Sequence, residues 1–255
     1  MKYLMKIFVC ILIGFFLFGI NKSFSEEKQG NILAESEKLK NNREEYLNFV
    51  KNLDLKETII LGSQIVDKYG TSELYGFFVL LGERVGSDMS AIPKIITLAL
   101  NEELNPKFKK ILVDGFKHTD SYGTYEDGEQ MLPHFLKFIE DKSKDQKTKV
   151  VLLEIIGCWF DGYKQRFADP LDEEDASEKS FKLVHKQANI TINSLNKIIK
   201  DKSINKEVSA AAGGLYDKIR QIYLDENNVL PVKCKNLKTF KQVKSKLKKN
   251  SDILE

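Results

Sequence analysis

Apolar positions along this chain recur at helical spacing in blocks, each broken once by a short polar turn. One block runs Ile92-Pro93-Lys94-Ile95-Ile96 and, past the turn, Phe108, Ile111, Leu112 and Gly115. A second runs Leu132-Pro133-His134-Phe135-Leu136 into Val150, Leu153, Ile156 and Gly157. A third runs Ile192-Asn193-Ser194-Leu195 into Val208, Ala211, Ala212 and Gly214. Apolar residues three and four apart line one face of an α-helix, so each block predicts a two-helix hairpin. Pro93 and Pro133 lie 40 residues apart, a period that signals stacked helical repeats.

Flanking blocks extend the pattern. Ile59, Ile60, Ile65 and Val66 lead to a break at Tyr69-Gly70, after which Thr71-Ser72-Glu73 opens a helix carrying Leu74, Phe77, Phe78 and Leu81, then Gly82. Gly82 is read as the counterpart of Gly115, Gly157 and Gly214. A helical glycine costs about 1 kcal/mol against alanine, so the recurrence predicts close helix approach at all four. Upstream, Leu39, Tyr46, Leu47, Phe49, Val50 and Leu53 predict an N-terminal capping helix with one solvated face, as the first unit of a stack requires. The segments 118–128 and 161–177 predict loops, the second acidic; insertions in stacked repeats gather on one face, often the binding face. Phe181, Val184, Ala188, Ile192, Leu195 and Ile199 keep helical spacing and predict one long helix entering the third hairpin.

The opening 25 residues differ from the rest. Lys2 and Lys6 precede an apolar run from Ile7 to Ile20, and Asn21-Lys22-Ser23-Phe24-Ser25 supplies small residues before Glu26. This is the layout of a cleaved secretory signal peptide; a run of 14 residues is short for a membrane span, which needs about 20. Cys10 sits inside that run without the small preceding residue of a lipoprotein site. The mature chain is expected to be periplasmic or extracellular. Taking the three leader lysines from 40 basic residues leaves 37 against 37 acidic ones, a balance that offers no general attraction to nucleic acid. The expected organisation is 1–25 signal peptide, 26–54 capping helix, 55–228 repeat domain and 229–255 basic tail. In that tail, Lys233 to Lys249 holds eight lysines and no acid, with Leu237, Phe240, Val243 and Leu247 spaced for a basic amphipathic helix. It could contact anionic lipid or fold back as a cap.

The paired helices, the apolar-Pro openings and the run Asp201…Val208…Ala211-Ala212 resemble HEAT repeats of the armadillo type over roughly residues 56–225. Ser209 stands where that family usually has arginine after the valine. The resemblance implies an all-α fold, an α-α superhelix (a solenoid of about four hairpins) behind the N-terminal capping helix. Proteins of this kind serve transport, scaffolding and enzyme regulation.

Candidate chemistry is sparse. His118, His134 and His185 lack an i, i+4 ligand partner. The acids Asp169 to Asp175 have no glycine at a turn and no alternate spacing for calcium. There is no Gly-x-Ser-x-Gly elbow and no phosphate-cradling glycine loop. Apolar neighbours Ile155, Ile156, Trp159 and Phe160 make Cys158 inert; in an oxidising compartment Cys158 and Cys234 could pair, or Cys158 could simply fill the core. Trp159 and Phe160 are expected to pack between repeats. Tyr122, Tyr125, Glu126, Asp127, Tyr163, Asp172, Glu173 and Glu174 place aromatics beside acids at expected loop positions and predict a recognition surface. No cofactor and no metal are expected. The chain reads as an exported scaffold binding a protein or peptide without catalysis; the alternatives are an envelope protein docking on anionic lipid through its tail, and an enzyme whose site carries no motif.

Overall fold

The structure, a computed structural model, describes residues 30–39, 43–74, 77–78, 81–82, 88–117, 125–168 and 177–224. Among these residues every regular element is helical, as the 3- and 4-residue apolar spacing requires. The expected leader, basic tail and acidic segment 169–176 lie outside them. Contacts divide the chain into two units: residues 1–123 with 143–149, and residues 124–142 with 150–255.

In the first unit, α1 (Gly30–Leu39) and α2 (Arg43–Asn52) replace the single capping helix expected over 26–54. Helix α3 (Leu55–Tyr69) starts at a reciprocal capping box: Asp54 Oδ1 accepts the Glu57 N–H and Glu57 Oε2 accepts the Asp54 N–H, both at 2.7 Å. This satisfies two of the N–H groups that a helix start leaves without partners. It stops at Gly70, whose φ of 75° suits glycine, and the 3₁₀ turn Thr71–Glu73 follows. Helices α4 (Ala91–Asn101) and α5 (Pro106–Lys117) form the next hairpin. Ile59, Leu61, Leu74, Phe77, Leu81, Ile95, Ile96 and Phe108 make the buried core. Gly62 lies against it: a Cβ there would stand 2.6 Å from ring atoms of both Phe77 and Phe108.

The second unit holds α6 (Tyr125–Glu140), most of α7 (Gln146–Ala168), α8 (Glu178–Lys200) and α9 (Lys206–Ile219), ending in a π-turn at Arg220–Leu224. Helix α6 begins well before Pro133, which sits inside it instead of opening it, so 125–128 are helix and not loop. Helix α7 likewise runs on to Ala168, which shortens the expected 161–177 insertion. The long helix expected before the third turn is α8, capped where Ser177 Oγ accepts the Ser180 N–H. It packs on α6 and α9. Aromatic pairs hold this unit: Phe135 and Trp159 at 5.1 Å, Phe160 and Tyr223 at 5.3 Å, Phe167 and Phe181 at 5.7 Å between ring centroids.

Three hairpins are built to one register set by the residue before each second helix. Asn105 Oδ1 accepts the Lys107 N–H at 2.8 Å, Asp145 Oδ2 the Thr148 N–H at 2.7 Å, and Asn205 Oδ1 the Glu207 N–H at 2.8 Å. Asn and Asp are favoured there because their short side chains reach these otherwise bare N–H groups. Counted from these caps, the third residue onward is Phe108, Thr148 and Val208, and the tenth residue back is Ile95, Phe135 and Leu195; all six are completely buried. The glycines do not obey the register. Gly115, Gly157 and Gly214 are the tenth, twelfth and ninth residues after their caps, so they are not counterparts. Gly157 has the Leu215 Cδ1 atom 3.5 Å from its Cβ position, whereas among the described residues no atom beyond the helix's own backbone lies within 4 Å at Gly213 or Gly214.

Candidate binding surface

Asn105 ties the start of α5 to α3. Its N–H donates to Ser63 Oγ at 2.7 Å, its Nδ2 to Asp67 Oδ1 at 2.5 Å, and its Oδ1 also accepts the Phe108 N–H at 3.3 Å. Where α3 ends and α5 begins, a half-open dish of about 580 Å³ is left, lined by Asp67, Tyr69, Thr71, Ser72, Asn105 and Lys107 among others. The dish carries a carboxylate, a lysine, two hydroxyls and a phenol ring on a frame held by Asn105. Such a mixture can accept and donate hydrogen bonds to a polypeptide backbone or polar side chains, and it sits on helix ends fixed by the core.

Of the residues expected to form a recognition surface, Tyr125, Glu126 and Asp127 lie in the first turn of α6. Tyr122, Asp172, Glu173 and Glu174 lie outside the described residues. Tyr163 is corrected by its burial: at 1 % exposure it is core and not a surface contact. Its ring meets Phe160 edge-on at 5.7 Å, and its hydroxyl occupies the space a side chain at Gly128 would need. Phe160 and Trp159 are buried as expected. Cys158 is half-buried on α7, and Cys234 lies outside the described residues. His185 is buried beside the Phe181 ring at 4.9 Å. Among the described residues no three His, Cys, Asp or Glu side chains gather as metal ligands, and no helix is long and apolar enough to cross a membrane. No family model, curated protein or solved structure matches this chain.

The dish, Gly62 and the caps escaped the sequence reading. A signal was present for the caps: Asp141-Lys142-Ser143 and Asp201-Lys202-Ser203 are the same tripeptide, each four residues before a capping Asx. Nothing comparable marks the dish, because Asp67 and Asn105 meet only through folding.

The second cap carries the most chemistry. The Thr148 side chain is fully buried; its hydroxyl donates to Asp145 Oδ2 at 2.7 Å and lies 3.1 Å from Thr97 Oγ1. Thr97 spends its own proton on the Pro93 carbonyl at 2.8 Å. Burial pushes the Asp145 carboxyl up, but hydrogen bonds from the Thr148 hydroxyl and N–H and from Asn101, with the nearby Lys147 charge, outweigh it and leave a net downward shift. In the third hairpin the Lys142 ammonium, 2.7 Å from Asp201, and the Ser203 hydroxyl and N–H hold the Asp201 carboxyl well below the usual carboxylate range. A depressed carboxylate stabilises the fold fully above its unfolded pKa, roughly pH 4, and that contribution fades as pH falls toward the folded value. Asp145→Ala is expected to cost about 1–2 kcal/mol at pH 7, through the lost cap and the lost charge-assisted bond from the Thr148 hydroxyl. Asp145→Asn, which keeps an acceptor as Asn105 and Asn205 do, is expected to cost far less and to flatten the loss of stability below pH 4. Urea titrations of the three proteins at pH 7 and pH 3 check both; an equal cost for Asn and Ala would contradict the cap.

Proposed function

We propose that this chain is an exported, non-catalytic scaffold whose HEAT-like hairpins form an α-α superhelix that holds a protein or peptide partner. The observation that carries the reading is the shared register: three hairpins place their caps and buried positions alike, and a repeated hairpin is a unit for building surface. The polar dish in the first unit supports it as the place of contact, since its groups suit backbone recognition and are held by Asn105.

The test uses the mature chain, residues 26–255, with a photo-reactive amino acid at Ser72, at Lys107, or at the exposed Lys110 outside the dish. Irradiation in the envelope or extracellular fraction of the source cell is expected to attach one polypeptide at Ser72 and Lys107 and none at Lys110. The same attachment at all three positions, or at none, would remove the dish as the contact.

A further inference from the structure

The solvent side of α8 is a row of lysines. Lys179, Lys182 and Lys186 follow one another along its first half and Lys197 and Lys200 along its second, with Ile190 and Asn193 on the steps between. Every step is three or four residues, so these positions share one face, and all of them are exposed. The ridge is about 32 Å long, and no acid occupies a step of it. Acids stand to its sides. Glu178 pairs with Lys182 at 2.6 Å, Glu129 of α6 pairs with Lys186 at 2.7 Å, and Glu140 of α6 accepts from Ser194 Oγ. The Lys182 and Lys186 side chains are still 57 % and 63 % exposed, and ion pairs in water hold weakly. Among the described residues the large apolar side chains left exposed are Ile190 and Ile199, and both belong to α8. Ile190, 42 % exposed, stands on the ridge itself between Lys186 and Lys197.

We propose that this face of α8 docks on an anionic lipid bilayer. A straight row of ammonium groups on one face matches a plane of phosphates, and long lysine stems let the charges reach that plane while the helix lies flat on it. Ile190 decides among the polyanions that could answer the charge. Beneath its phosphates a bilayer offers hydrocarbon to an apolar side chain that points the same way as the cations. A nucleic-acid backbone or a carboxylate-rich peptide offers it only polar surface. The row also lacks arginine and aromatic rings, the groups best suited to nucleic-acid phosphates and bases. The other side of α8 stays packed on α6 and α9, so docking leaves the core intact. The contact is peripheral, since no helix among the described residues is long and apolar enough to cross a membrane. The even balance of 37 basic and 37 acidic residues beyond the leader does not oppose it, because salt limits attraction to charges within about 10 Å. The proposal stands apart from the dish and its polypeptide partner.

Vesicle binding by the full mature chain, residues 26–255, tests it. In about 0.1 M salt the chain is expected to sediment with phosphatidylglycerol vesicles and not with phosphatidylcholine vesicles. Each lysine at such a surface contributes about fivefold in affinity. Lys182→Gln, Lys186→Gln and Lys197→Gln combined are therefore expected to weaken binding about 100-fold, while glutamine keeps the helix, as circular dichroism checks. The lysines between 233 and 249 are the same in parent and variant, so the loss reads α8 alone. Brominated phosphatidylglycerol is expected to quench the Ile190→Trp indole, but neither the buried Trp159 of the parent nor Lys164→Trp on the exposed side of α7. Equal binding by parent and triple variant, or an unquenched Ile190→Trp indole in the bound protein, would overturn the proposal. So would sedimentation with neither lipid or with both alike. Tighter capture by DNA or polyglutamate, lost in the same triple variant, would assign the ridge to a soluble polyanion and overturn it as well.

Discussion

Trp159→Ala is expected to cost about 3–5 kcal/mol, a large part of the 5–15 kcal/mol that keeps an ordinary domain folded. Trp159 is 2 % exposed and its ring lies 5.1 Å from Phe135, which is itself completely buried at the core position shared by Ile95 and Leu195. Truncation leaves a void beside Phe135 that neighbouring side chains can only partly fill. Trp159→Phe keeps the aromatic contact and is expected to lose much less. Because this is the chain's single tryptophan, unfolding is best followed by circular dichroism, with urea midpoints compared across the three proteins. A change under about 1 kcal/mol for the alanine variant would place the indole outside the core.

Gly62→Ala is expected to destabilise the first unit although alanine is the better helix former. The propensity gain is about 1 kcal/mol. Against it, the new methyl would sit 2.6 Å from atoms of two rings, Phe77 and Phe108, that pack edge-on at 5.5 Å between centroids. Forcing buried rings apart costs about 1–3 kcal/mol, and both belong to the unit's core. Phe108→Leu opens room on one side, so the double variant Gly62→Ala/Phe108→Leu is expected to lose less than the two single losses added together. Thermal unfolding of the four proteins measures that coupling; a Gly62→Ala variant more stable than the parent would mean that the rings do not converge there.

These two residues also show how much was legible beforehand. Trp159 and Phe160 were readable as core because they extend the apolar stripe of the second block, and α8 was readable because its apolar spacing holds from Phe181 to Ile199. Helix boundaries were harder. Pro133 reads as a helix opener from its local chemistry, yet α6 carries it as an interior residue. Tyr163 read as a loop contact because the helix was expected to end before it; one more helical turn moves its ring into the core. Glycine spacing misled because Gly115, Gly157 and Gly214 look alike one-dimensionally but fall at different distances from their caps. The glycines on which rings or hydroxyls do close, Gly62 and Gly128, owe it to side chains distant in sequence. The dish is illegible for the same reason, since Asp67 and Asn105 are 38 residues apart.

Three hairpins made to one pattern underlie the proposed scaffold, and amide exchange at their caps tests that pattern most directly. Helix-start N–H groups have no partner within their own helix, so slow exchange at Phe108, Thr148 and Glu207 requires the side chains of Asn105, Asp145 and Asn205. Site-resolved exchange by NMR is expected to show these three amides protected, with Asn105→Ala, Asp145→Ala and Asn205→Ala each releasing only the amide of its own hairpin. Free-chain exchange at all three in the unmodified protein would contradict the common pattern and the repeat scaffold built on it.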